Sequence, residues 1–150
     1  MNVVRLRVVV SALAIVAFTL GAAPAGPMTT VNAFVTAFNK HDVKGELAAC
    51  APQAGIIDDF PPHAWMSCAD WESAYEEFSK QDGDSGSKVT LGTPWHVNVT
   101  GDLAYVVVPT TYTFEHKGST VTQNNSVWTL VLKKASSGWL ITAWAWADGK

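Results

Sequence analysis

The sequence predicts an α+β fold in which a strongly bent antiparallel sheet wraps around three helices. In the first half of the chain, up to about residue 81, apolar side chains recur at helical spacing in three segments. From residue 95 onward apolar and polar side chains alternate, which is typical of strands separated by tight turns. Helices followed by a run of strands indicate one layer of helices packed on a meander sheet.

The first residues have the pattern of a secretory signal peptide. Arg5 and Arg7 precede an apolar run over residues 8–20, and small residues follow through Ala25. The run is shorter than the ~20 residues that a membrane-spanning helix needs. We therefore expect cleavage after Ala25 or Ala23, with no stable membrane span afterwards. One periplasmic or secreted domain would remain over residues 26–150; an uncleaved anchor would leave that domain in the same compartment.

The charge balance disfavours nucleic acid as a partner. Residues 1–25 contain two basic and no acidic side chains, so the mature domain has 8 basic and 13 acidic groups. Binding to a phosphate backbone depends on clustered Lys and Arg side chains, and the sequence has no such cluster.

The two cysteines of the chain, Cys50 and Cys68, predict one disulfide bond. An even pair in an oxidising compartment is usually bridged. Two separate buried thiols are the alternative; a catalytic thiol is disfavoured because neither cysteine has basic or His-rich neighbours that would lower its pKa. The bond would close a short loop around Asp58, Asp59 and His63.

Two helices and a short strand are predicted before residue 60. The first helix covers Pro27–Asn39 and begins with a proline suited to a first turn. Asp42 caps a second helix that runs through Ala51 and ends before Pro52. A short strand is then expected over Ala54–Asp59.

The third helix begins with a capping box formed by Ser67 and Asp70. It ends near Gln81, within a Gly- and Ser-rich stretch over residues 82–87. Four antiparallel strands complete the prediction, over residues 95–99, 103–115, 120–133 and 139–146.

Three segments of the chain resemble the nuclear transport factor 2 superfamily, in particular its SnoaL-like and ketosteroid isomerase-like branch. These are the helix pair Phe34–Asp42, the segment Ile56–Trp65 and the Gly-Trp-x-Ile strand Gly138–Trp144. The resemblance covers essentially the whole mature chain and implies a cone-shaped fold. That fold hosts many activities and many members with none.

The segment Ile56–Trp65 contains the candidate chemistry, because two carboxylates leave an apolar strand beside a histidine. The resemblance places the general base of the isomerases at Asp59, or at Asp58 if the register slips by one. Burial beside Phe60 and Trp65 would raise the pKa of such a carboxyl group, as a base working near neutral pH requires. Alternatively, both aspartates are solvated or cap backbone amides.

His63 is either a second proton carrier hydrogen-bonded to Asp59 or a surface imidazole held by the two neighbouring prolines. With Asp58 and Asp59 it forms an incomplete set of metal ligands, and no further Cys, His or carboxylate cluster has recognisable spacing. We therefore predict no metal and no cofactor. His41 and His116 are expected in exposed turns.

The sequence departs from the isomerases of the branch, which are expected to offer a phenol from the first helix and an acid from a late strand. The first helix presents Phe34 and Phe38 instead, and residues 127–132 and 139–146 contain no acid. This argues against steroid isomerisation and against any enolate reaction that needs such an oxyanion hole. Phenols that could substitute, or could only pack, are Tyr75, Tyr105 and Tyr112.

The seven tryptophans either line an aromatic ligand pocket or fill the core and a sheet-to-sheet dimer face. The predicted ligand-binding residues are Phe34, Phe38, Phe60, Trp65, Trp71, Tyr75 and Tyr112. Three functions remain open: an exported protein that binds a small apolar or aromatic molecule, a cofactor-free isomerase, cyclase or dehydratase with Asp59 as base, or a homodimeric interaction module.

Overall fold

A computed structural model describes residues 25–149 of the protein. The predicted signal peptide, apart from its last residue, lies outside the described residues. No described helix is long and apolar enough to cross a membrane.

The elements in chain order are α1 (Pro27–Phe38), α2 (Val43–Ala49), β1 (Cys50–Ile57), β2 (Ala64–Trp65), α3 (Cys68–Asp82), β3 (Asp84–Leu91), β4 (His96–Thr100), β5 (Leu103–His116), β6 (Ser119–Ala135) and β7 (Gly138–Ala147).

The three helices and their caps agree with the sequence prediction. The carboxylate of Asp42 accepts a hydrogen bond from the Gly45 N–H at the start of α2. The Ser67 hydroxyl accepts one from the Asp70 N–H at the start of α3. Helix α2 is shorter than predicted, because the chain passes directly into β1 at Cys50 rather than at Ala54.

The three helices pack on a curved mixed sheet, which is the predicted α+β class. The strand order is β2-β1-β7-β6-β5-β3, and β4 pairs with the other half of β5. The sheet is not wholly antiparallel: β1 runs parallel to β7, with Ile56 opposite Trp144. This pairing is possible because nearly the whole domain forms the connection between the two strands.

Strand β3 was not predicted, since its Gly- and Ser-rich sequence lacks an apolar alternation. It forms because β5 offers a long partner strand, with Lys88 opposite Thr113 and Leu91 opposite Thr110. The side chain of Asn39, at the end of α1, donates to the Val89 carbonyl and accepts from the Val89 N–H, both at 2.8 Å. Helix α1 is thereby fixed to the edge of the sheet.

The alternation in the strand after Trp95 does not bury its apolar residues. Val97 and Val99 lie opposite Val106 and Ala104 of β5, yet they are 42% and 52% exposed. These valines therefore share the face of the buried Val106 and Ala104 without being covered themselves. The helices pack on β1, β2, β3, β5 and β7 and leave β4 open to solvent.

The core lies between the helices and the concave face of the sheet. Trp128, Trp139 and Trp144 are buried there among the apolar residues of β5 to β7. The convex face carries smaller exposed side chains, among them Tyr105 and Val131. These three tryptophans are therefore not available to a dimer face, whereas Trp95 beside β4 is 60% exposed; a homodimer through the outer face of the sheet stays a prediction.

The disulfide bond between Cys50 and Cys68 is present, as predicted. It joins the first residue of β1 to the first residue of α3, and both cysteines are buried. The bond thereby encloses the segment between them, which includes Asp58, Asp59 and His63.

Candidate functional site

A cavity of about 260 Å³ opens between helices α1 and α3 and the concave face of the sheet. Eleven of its lining residues are aromatic, and five are aspartates. The aromatic residues are Phe34, Phe38, Phe60, Trp71, Tyr75, Phe78, Tyr112, Phe114, Trp128, Trp144 and Trp146. Six of the seven predicted ligand-binding residues are among them.

The aromatic walls hold one another in place. The ring of Phe34 lies 5.4 Å from that of Trp128 and 5.3 Å from that of Trp144. Trp71 and Tyr75 of α3 stack nearly parallel at 5.3 Å. Aromatic pairs at these separations are favourable beyond their buried area, so the cavity is bounded by ordered rings.

Trp65, the seventh predicted residue, does not line the cavity. It is buried behind the wall and packs on Phe60, with 4.6 Å between the ring centroids. The short strand β2 places it there, since Trp65 pairs with Ile56 of β1. Its contribution is to orient Phe60 rather than to contact a ligand.

Asp58 is fixed in the wall by two hydrogen bonds. Its Oδ2 accepts from the indole N–H of Trp71 at 2.8 Å, and its Oδ1 accepts from the Asp59 N–H at 2.9 Å. Burial raises the pKa of the Asp58 carboxyl group, and these hydrogen bonds partly offset that rise.

Asp59 faces Asp148, which follows β7, and the two form an exposed carboxyl pair at the opening of the cavity. Partial burial raises the pKa of Asp59, while the hydrogen bond with Asp148 opposes the rise. Partial burial and the neighbouring Asp59 together raise the pKa of Asp148 to about 6. One proton shared by the pair is the arrangement that two adjacent carboxyl groups favour.

Asp148 lies two residues beyond the segment 139–146 in which an acid was expected, so the sequence did not point to it. Its Oδ1 accepts a hydrogen bond from the indole N–H of Trp146 at 3.1 Å. Trp144, Trp146 and Asp148 are spaced two residues apart, so they project to the same face of one extended segment. Extending that alternation by one step would have identified Asp148.

A second polar group in the wall consists of hydroxyls. The Tyr75 and Tyr112 hydroxyls are 2.8 Å apart, and the Ser87 hydroxyl lies 3.0 Å from that of Tyr112. Burial raises the pKa of both phenols, so they stay protonated and remain hydrogen-bond donors. Tyr105, the third tyrosine considered, is exposed on the convex face instead.

His63 lies outside the cavity. Its side chain is exposed, and its Nδ1 lies 3.2 Å from the backbone carbonyl oxygen of Asp58. The expected hydrogen bond to the Asp59 carboxylate is not formed. His63 therefore stabilises the turn after β1. Because it lies outside the cavity, it cannot exchange a proton with a molecule bound there.

A third polar cluster lies where β3 meets the end of β5. The Nδ1 of His116 is 2.7 Å from Asp84 Oδ1 and 3.7 Å from Asp82 Oδ2. Strand pairing places Asp84 opposite His116, so the expectation that His116 lies in an exposed turn is wrong. These three side chains have ligand atoms close enough together for one divalent cation, which the sequence spacing did not reveal. A hydrogen bond of 2.7 Å joins His116 to Asp84 without a metal.

A match to a protein-family model over most of the fold shows the family of the chain. The model of the SnoaL-like domain matches residues 28–145. The chain belongs to the SnoaL-like domain family. The resemblance inferred from the sequence is thereby confirmed, and the matched region of this SnoaL-like domain contains the site residues discussed above except Trp146 and Asp148.

Solved structures show the same fold at low sequence identity, and no curated protein matches the chain. A nuclear transport factor 2-like superfamily protein from Salmonella enterica is 16% identical with a TM-score of 0.68, covering 81% of this chain and 87% of its own. A putative dehydratase of the same family from Streptomyces avermitilis is 17% identical with a TM-score of 0.68, covering 82% and 94%. A ketosteroid isomerase-like protein from Erwinia carotovora atroseptica is 17% identical with a TM-score of 0.65, covering 81% and 92%. At these identities the similarity concerns the fold alone.

Proposed function

We propose that this SnoaL-like protein is exported and binds a small aromatic or apolar molecule in its cone. The observation that carries the proposal is the cavity of about 260 Å³ with eleven aromatic residues in its lining. Ligand sites are mostly apolar with a few polar groups that set orientation, and this cavity has that composition. Its volume suits a molecule of one or two rings.

Export is supported by the disulfide between Cys50 and Cys68. Such bonds persist in the periplasm and outside the cell and are rare in the cytosol. A soluble binding protein outside the cytosol would meet small aromatic molecules before they reach the cell interior.

The binding proposal is tested by blocking the cavity from helix α3. Ser79 lines the cavity, so Ser79→Trp places an indole in the space that a ligand would occupy. Isothermal titration with indole as the probe should show affinity for the native protein and at least a tenfold loss in this variant. Ser73→Trp is the matched control, because Ser73 lies on the same helix but is exposed outside the cavity. Equal affinities of the two variants would contradict the proposal.

A second candidate function is cofactor-free isomerisation, cyclisation or dehydration with Asp59 as the general base. The carboxyl pair of Asp59 and Asp148 favours it, because a raised carboxyl pKa suits proton transfer near neutral pH. The protonated hydroxyls of Tyr75 and Tyr112 would supply hydrogen-bond donors that the first helix lacks. His63 has no part in this candidate.

The general-base candidate predicts a raised carboxyl pKa for Asp59, measurable by NMR titration of the side-chain carbon. A raised folded pKa means that stability falls as pH rises from the ordinary carboxyl range through the folded value. Asp59→Asn should therefore be neutral or slightly stabilising in thermal melts at pH 7. A normal or lowered pKa, together with a destabilised Asn variant, would eliminate the general-base role and leave the binding proposal intact.

A further inference from the structure

The charged side chains that line the cavity are all acidic among the described residues. Asp58, Asp59, Asp82, Asp84 and Asp148 all line it, and no Lys, Arg or His side chain does. Two of the five, Asp82 and Asp84, have His116 as a partner outside the cavity. The other three have no cationic partner within residues 25–149.

The hydrogen bonds in the wall hold these carboxylates in place without neutralising them. The indole of Trp71 donates to Asp58, and the indole of Trp146 donates to Asp148. Both donors are uncharged, so the charge of each carboxylate remains available to a ligand. Gln123 also lines the cavity, and its buried Oε1 accepts no hydrogen bond from the described chain.

Aromatic rings attract cations as well as apolar groups. The face of an aromatic ring is negative, and a cation within about 6 Å of its centre gains about 0.5–2 kcal/mol. Tryptophan is the best ring for this interaction, and the cavity is lined by Trp71, Trp128, Trp144 and Trp146. Both the rings and the carboxylates of the cavity therefore favour a positively charged ligand.

We propose that the occupant of the cavity is an organic cation, a protonated amine or quaternary ammonium group on an apolar or aromatic body. This inference rests on the proposed binding function and specifies its ligand class. An aromatic carboxylate would meet like charges and no basic side chain. A neutral ring would leave the carboxylates of the wall partly desolvated with no compensation. A bare metal ion would leave most of the 260 Å³ unfilled.

Cation binding should be coupled to proton release from the carboxyl pair. The groups that face Asp148 are Asp59 and Asp58 from the loop after β1, Gln123 from β6 and Trp146 from its own strand. None is basic, so a bound cation would be the nearest positive charge and would favour the ionised pair. With a pKa of about 6 for Asp148, release of one proton raises the affinity about tenfold between pH 5 and pH 7.

Three soluble probes of similar size test the inference by isothermal titration of the oxidised protein: benzyltrimethylammonium, benzyl alcohol and benzoate. The cation should bind at least tenfold more tightly than the alcohol at pH 7, and benzoate most weakly. Only the cation should show the tenfold gain between pH 5 and pH 7. A quaternary ammonium group has no proton to lose, so that gain reports on the protein.

Charge removal in the wall provides the second measurement. Asp148→Asn and Asp59→Asn should each reduce the affinity for benzyltrimethylammonium at least fivefold and leave that for benzyl alcohol unchanged. Asp102→Asn is the matched control, because Asp102 is an exposed carboxylate in the turn between β4 and β5 and lies outside the cavity. Thermal melts of all three variants establish that each is folded.

The possible failures are distinguishable. If benzyl alcohol or benzoate binds as tightly as the cation, or if Asp102→Asn weakens the cation as much as Asp148→Asn does, the cation inference is overturned and the aromatic binding site stands. If none of the three probes binds, and indole does not bind either, both the inference and the proposed function are overturned.

Discussion

Replacing Cys50 and Cys68 together with alanine is expected to lower the free energy of unfolding by about 3 kcal/mol. The two cysteines are 18 residues apart. Closing a loop of this length in the unfolded chain removes conformational entropy worth about 3 kcal/mol near 25 °C. Because the bond joins β1 to α3, its loss should also loosen the loop that carries Asp58 and Asp59.

Urea unfolding measures this effect directly. The double alanine variant should unfold at a lower urea concentration, and reductant should shift the native protein towards the same midpoint. Reductant should leave the alanine variant unchanged, which serves as the internal control. A loss below about 1 kcal/mol would mean that the unfolded chain is already constrained in this region.

Stability is expected to fall as pH rises from 7 to 9, because of a buried glutamate. Glu46 of α2 is only 2% exposed. Burial, with the hydrogen bond to Glu72 of α3 and the charge of that residue as further causes, raises its pKa to about 9. The folded protein therefore keeps a proton that the unfolded chain releases above pH 4.5, the ordinary pKa of a glutamate.

Proton linkage determines whether stability rises or falls with pH. Where the folded state binds one proton more than the unfolded state, stability falls by about 1.4 kcal/mol per pH unit. This contribution is fully present below pH 4.5 and is lost as pH rises through about 9. The interval from pH 7 to 9 isolates Glu46 from Asp148, which has a pKa of about 6 and is ionised by then.

Glu46→Gln should remove most of this slope and make the protein more stable than the native chain at pH 9. A neutral amide keeps the hydrogen-bonding role without the cost of burying a charge. Glu77→Gln is the matched control, since Glu77 is exposed on α3 and should leave the slope unchanged. Urea titrations at pH 7, 8 and 9 would contradict the interpretation if the native protein showed equal stability at all three.

Local signals explain why the helices were predictable and the site was not. Asp42 and Ser67 cap their helices through contacts within three residues, so the sequence alone identifies them. The carboxyl pair of Asp59 and Asp148 depends on β1 lying beside β7, a contact between residues about 90 positions apart. No pattern in a single sequence specifies that neighbour.

Contacts between distant parts of the chain also explain why the sequence did not predict β3 or the Glu46 and Glu72 pair. Strand β3 lacks an apolar alternation and is specified by pairing with β5, which also brings Asp84 to His116. The Glu46 and Glu72 pair is formed by packing of α2 on α3. By contrast, the aromatic character of the cavity was predictable, because Phe34 and Phe38 share the buried face of one amphipathic helix.

The place of β7 within the sheet has a consequence for the biogenesis of the protein. This strand is made after all the others, yet it lies between β1 and β6. Until β7 is made, β1 can pair only with the short strand β2, so the sheet closes only when the C-terminal strand becomes available. Pairings between distant segments form slowly. A newly made chain would therefore acquire its cavity, which β7 lines with Trp144 and Trp146, only after this last strand has paired.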